Sequence, residues 1–142
     1  MNKLHFKIYL LLFMAVISTA CSDDDDTAAS PDKKAMEELT GEWRAAKVTK
    51  DDFELAGFEN FRLVITQGKI FQTHGDSELI FPIGEFEFVE NSNYEKVVCQ
   101  GVEVRLAYDE GGLVASFTLA KEPSGGRQAG LNGGYVFDMV SN

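Results

Sequence analysis

The sequence predicts an all-β domain, a small antiparallel up-and-down β-barrel of about eight strands. Three observations carry that expectation. Apolar and polar side chains alternate with a period of two through most of residues 37–142, as on strands that bury one face. Gly, Asn, Asp and Ser interrupt the alternation every ~8–12 residues, the spacing of turns in barrels and sandwiches. Nine of the eleven Phe lie in this stretch. Deleting a buried Phe side chain typically costs about 3–5 kcal/mol, against a total stability of about 5–15 kcal/mol, so a Phe-rich core can hold such a domain unaided.

The elements follow in order. A short helical turn is expected at Lys33 to Leu39, before Thr40-Gly41. The first strand alternates Trp43, Ala45 and Lys47 against Arg44, Ala46 and Val48, and Asp51-Asp52 turns the chain. Phe61, Leu63 and Ile65 share a face opposite Arg62, Val64 and Thr66. Gln67-Gly68 leads to a hairpin partner at Lys69 to His74. Pro82 cannot donate to a ladder, so Leu79 to Ile83 is an edge, a bulge or a loop. Phe86 and Phe88 oppose Glu85 and Glu87, and Lys96 to Gln100 follows. Val102, Val104 and Leu106 form the next stripe, then Leu113, Ala115, Phe117 and Leu119, then Tyr135, Phe137 and Met139. Asp109-Glu110-Gly111-Gly112, Ser124-Gly125-Gly126 and Asn132-Gly133-Gly134 supply turns.

Ahead of this domain the chain divides at residues 20 and 36. Lys3, His5 and Lys7 precede an apolar run from Ile8 to Ile17, and Ser18-Thr19-Ala20 follows it. A basic start, a short apolar run and a small-residue cleavage site describe a secretory signal peptide, residues 1–20. The run is shorter than the ~20 apolar residues that span a bilayer as a helix. Small residues directly before Cys21 resemble the lipobox of bacterial lipoproteins, which implies that Cys21 becomes a lipidated N-terminus held on the membrane. Stable anchoring takes more than one acyl chain. The next residues, Ser22, Asp23, Asp24, Asp25 and Asp26, resemble the acidic export tag of surface lipoproteins in Gram-negative bacteria. That resemblance implies an outer-membrane lipoprotein displayed at the cell surface. Residues 21–36 as a whole read as a solvated, disordered tether, with Thr27 to Lys34 continuing the polar linker around Pro31.

Charge and cysteine content exclude several classes of function. Residues 1–20 hold two of the thirteen Lys and Arg and none of the 23 acidic groups, leaving eleven cations against 23 carboxylates, a net charge of −12. Such a surface repels nucleic acid and anionic lipid, and no basic stripe offsets it. With Cys21 lipidated, Cys99 stands alone and a disulfide framework is ruled out. Beside Val97 and Val98 it reads as a small buried hydrophobe.

The remaining chemistry-bearing residues are better explained as structure. His74, near Asp76 and Glu78, is the only histidine after residue 20, which rules out a His-rich zinc site. Glu85 and Glu87 share one strand face, and paired carboxylates can hydrolyse glycosides, but alternation with Phe86 and Phe88 makes them a solvated face. Asp51, Asp52 and Glu54 lack the calcium-loop pattern. Gly125-Gly126-Arg127-Gln128-Ala129-Gly130 fits neither a dinucleotide fingerprint nor a phosphate loop, and no serine sits in a nucleophile elbow. No catalytic residue, metal or cofactor is expected.

Leu39-Thr40-Gly41-Glu42-Trp43 places a Gly-x-Trp at the start of the first strand. Gly133-Gly134-Tyr135-Val136-Phe137 begins the last. Together these resemble the lipocalin and calycin pattern, and in particular the lipocalin-like domains of bacterial lipoproteins, over roughly residues 36–140. The resemblance implies that Gly41 and Trp43 close one end of the barrel. Two functional readings follow. In one, the barrel holds a small apolar or amphipathic ligand. In the other, nine Phe fill the interior, and the domain docks as a non-catalytic accessory subunit on an outer-membrane partner.

Overall fold

The computed structural model describes residues 30–75, 80–120 and 129–142. The expected signal peptide, Cys21 and the expected acidic tag lie outside the described residues, as do Asp76, Glu78 and the stretch from Lys121 to Gln128.

The chain opens with a helix, α1 (Pro31–Leu39). Nine strands follow: β1 (Gly41–Lys50), β2 (Phe53–Glu54), β3 (Arg62–Thr66), β4 (Ile70–His74), β5 (Gly84–Phe88), β6 (Lys96–Cys99), β7 (Val102–Asp109), β8 (Gly112–Leu119) and β9 (Gly133–Ser141). From β3 to β9 each strand pairs antiparallel with the next in sequence. β1 joins the two edges, pairing with β3 through Gly41–Arg44 and with β9 from Trp43–Ser141 to Lys50–Tyr135. The result is a closed eight-stranded up-and-down barrel. Closure leaves these eight strands without an open edge, and the two-residue β2 sits outside the ring on the end of β1.

Two departures from the sequence reading have local causes. The first is in β1. Simple alternation sets Val48 opposite Trp43, yet both are buried. A β-bulge between Ala45 and Lys47 in the pairing with β9 adds one residue and reverses the facing, and such bulges also bend and twist a strand. The second is at the helix. It begins at Pro31, so it crosses the 36/37 boundary, and Pro31–Lys34 is helix where composition predicts a linker. The Ser30 hydroxyl accepts from the Lys33 N–H, and Pro31 sits in the first turn, an arrangement that suits a helix start. Ala35, Met36 and Leu39 anchor it on the barrel.

The other stripes hold. Leu113, Ala115, Phe117 and Leu119 point inward from β8, and Tyr135, Phe137 and Met139 from β9. Gly133 and Gly134 belong to β9 rather than to a turn, the turn before them being a 3₁₀ segment, Ala129–Leu131. Among the described residues every buried side chain of the core is apolar. Phe137 is the hub: its ring lies 4.9–5.8 Å from those of Phe58, Phe61, Phe81 and Phe117. Phe71 stacks on Phe86 at 4.2 Å. Aromatic pairs at such separations add about 0.5–1.5 kcal/mol beyond burial.

Candidate functional site

The barrel has two ends, and each is a candidate site. One is closed by α1. Trp43 is 4% exposed, and its indole N–H donates to the Leu39 carbonyl at 2.9 Å. That bond fastens the last turn of α1 to the first strand and satisfies a carbonyl with no partner inside the helix. Met36 and Leu39 enter the core beside it. A second fastening lies at the first turn of α1, the other end of the helix. Asp32 accepts from the Lys69 ammonium at 2.9 Å, and that ammonium stands 5.2 Å from the centre of the Phe88 ring. The bond from Lys69, with help from the Tyr94 hydroxyl, holds the Asp32 carboxyl below its usual value. Tyr94 takes a positive φ of 63°, rare for a bulky residue, and its ring meets Phe88 edge-on at 5.0 Å.

The other end is closed by side chains from loops. Phe81, from the segment containing Pro82, is 2% exposed and packs against Phe61, Phe71, Phe117 and Phe137. Phe58, from the β2–β3 connection, covers Phe61 and Phe137. Tyr135 stacks on Phe117 at 5.6 Å and donates its hydroxyl to the Leu131 carbonyl at 2.8 Å; burial, then the nearby Asp51, pushes that hydroxyl's pKa up. Where an open mouth would admit a ligand, aromatic rings fill the space.

Two concavities lie on the outside or at the rims. One of about 700 Å³ runs beside Trp43, lined by Glu38, Thr40, Glu42, Tyr108 and Glu110 among others. Burial, and then Glu38 and Glu95, raises the Tyr108 hydroxyl. A second, of about 690 Å³, lies at the loop end between Asp51, Glu103, Arg105 and Tyr135. Neither assembles a nucleophile with a base. No group of three His, Cys, Asp or Glu suited to a metal occurs among the described residues. No helix among them is long and apolar enough to cross a membrane.

No family model, curated protein or solved structure matches the chain. The lipocalin resemblance therefore rests on its motifs and on the barrel.

The residues singled out from sequence scatter rather than converge. Gly41 and Trp43 sit together at the helix-covered end. His74 ends β4 in solvent, and Glu85 and Glu87 point outward from β5. Cys99 is fully buried with its thiol 3.7 Å from the Gly84 carbonyl, and burial raises its pKa. Asp51 and Asp52 form the β1–β2 turn, both with positive φ. Sequence reasoning misses Phe58 and Phe81 as plugs, because no periodicity marks a loop side chain that turns inward. The apolar run Ile80-Phe81-Pro82-Ile83 is the available signal.

Proposed function

We propose that this chain is a lipid-tethered envelope protein whose barrel is a solid, non-catalytic scaffold that docks on a partner through its outer surface. The supporting observation is the filled interior. An eight-stranded barrel has room for its own side chains or for one small ligand, and here Phe58, Phe81 and Phe137 occupy the axis together with the inward faces of all eight strands. A carrier of apolar ligands would have to displace Phe81 from four ring contacts. The tether rests on the lipobox-like residues before Cys21 and on the acidic run after it, which also favour export to the cell surface.

Native mass spectrometry of the protein extracted from its own envelope tests the scaffold reading. A bare polypeptide mass, carrying only the lipid on Cys21, is expected; a recurrent small apolar adduct that survives removal of that lipid overturns it. Replacing Cys21 with Ala should release the protein from membranes. Protease treatment of intact cells should digest the domain if it is displayed outside.

A further inference from the structure

One large hydrophobic side chain stands apart from the others on the surface. Phe53 is 77% exposed, whereas Ile83, Val98, Val114 and Val136, the other exposed large apolar residues described, reach only 36–45%. Single exposed aliphatics at such levels are ordinary. A phenylalanine left almost bare at the tip of a turn is different, because its position is fixed by much of its surroundings.

The turn that carries it is clamped. Asp51 and Asp52 adopt φ of 50° and 69°, a left-handed pair that non-glycine residues rarely take and that matches the tight hairpin geometry joining antiparallel strands. Asp51 and the start of β9 hold each other reciprocally: the Asp51 N–H donates to the Gly134 carbonyl at 2.8 Å, and the Asp51 carboxylate accepts from the Gly134 N–H at 2.8 Å. A Cβ on Gly133 would lie 2.6 Å from that carboxylate, so the close approach needs glycine there. Lys50 donates to the Gly130 carbonyl at 2.8 Å, Lys47 pairs with Glu54 at 3.5 Å, and the Leu55 N–H returns to the Val48 carbonyl at 2.9 Å. Both cations of the hairpin are thus directed at groups within the domain. Asp52, exposed, stands directly beside Phe53.

We infer that the Asp52-Phe53 tip is the anchor of the protein-docking surface, and that its partner is a protein with an apolar pocket bearing a cationic group at its rim. This rests on the docking function proposed above and specifies its surface. Aromatic side chains dominate interface energetics, and a turn whose backbone is fixed in advance loses little freedom on binding. The charge beside the ring selects the rim. The tip lies about 30 Å along β1 from the end where α1 enters, at ~3.3 Å per residue. A lipid surface fits poorly, since Asp51, Asp52 and Glu54 would meet the headgroups.

The test places a photo-crosslinking p-benzoylphenylalanine at position 53 of the full chain in its native envelope, and separately at position 114 on the outer face of β8. The protein captured through position 53 is identified, purified and titrated against variants. The expected result is a discrete protein adduct from position 53 and none from position 114. Phe53→Ala should then weaken binding by about 30-fold, the scale of an interface hot spot, with Phe53→Leu intermediate and all melting temperatures unchanged. Asp52→Lys should weaken binding severalfold, the loss shrinking as salt rises. An adduct with lipid or with a second copy of this chain overturns the inference, and so does a Phe53→Ala effect within twofold. Capture through position 114 alone overturns this surface while leaving docking standing. Capture through neither overturns both.

Discussion

At the helix-covered end, main chain and hydrogen bonds do the closing. α1 lies across the opening, the Trp43 indole grips the Leu39 carbonyl at its last turn, and Asp32 meets Lys69 at its first. At the loop end the closing is done chiefly by rings: Phe58 and Phe81 enter from irregular segments, and their side chains are held by packing against other rings. The contrast shows that one barrel can be sealed by two kinds of interaction with different sensitivities. Directional bonds fail one at a time. A packed ring, once removed, leaves a void that surrounding rings fill only in part.

The largest effect is therefore expected at the loop end. Phe81→Ala should lower the unfolding free energy by about 3–5 kcal/mol, read from urea unfolding of the full chain. A loss below ~1 kcal/mol would mean that the loop merely rests on the barrel, and the contrast between the ends would dissolve. Trp43→Phe keeps most of the buried ring and removes the donor to Leu39. Its cost should be smaller, about 1–3 kcal/mol for the carbonyl left unsatisfied and the volume lost, and hydrogen exchange should quicken in α1 before the sheet.

The smallest effect is expected at Asp32, whose side chain is half-exposed. Its carboxyl is held below the unfolded value by Lys69, so any stabilisation from the pair is complete above the ordinary carboxylate pKa of ~3.9 and fades as pH falls through the lowered folded value. Melting curves of Asp32→Asn and the unaltered protein should differ slightly at neutral pH and converge in acid. A gap that widened in acid would refute the assignment.

The uninterrupted strands are legible in the sequence because alternation reports burial directly: it places the inward faces of β8, from Leu113 to Leu119, and of β9, from Tyr135 to Met139, where the structure has them. Val48 escapes it, since a bulge adds a residue without changing composition. The helix start carries its own signal in Ser30-Pro31, which the polar composition of the linker masks. The lipocalin resemblance implies a closing role for Trp43, and in the structure its indole donates to the Leu39 carbonyl at the helix-covered end. Phe81 carries only the apolar run around it as a signal and Phe53 carries none, because contacts that lie tens of residues away set one ring inward and the other outward. Asp51 meets Gly134 across 83 positions in the sequence, beyond the reach of any local pattern.

Pairing of the first strand with the last has a consequence for how the chain is made. A ribosome or translocation pore releases the N-terminus first, and the ring cannot shut until Ser141 has emerged to meet Trp43. Until then β1 waits with an unpaired margin, and such distant contacts slow folding. A polypeptide unable to finish folding early stays threadable for longer, as the export proposed above would require.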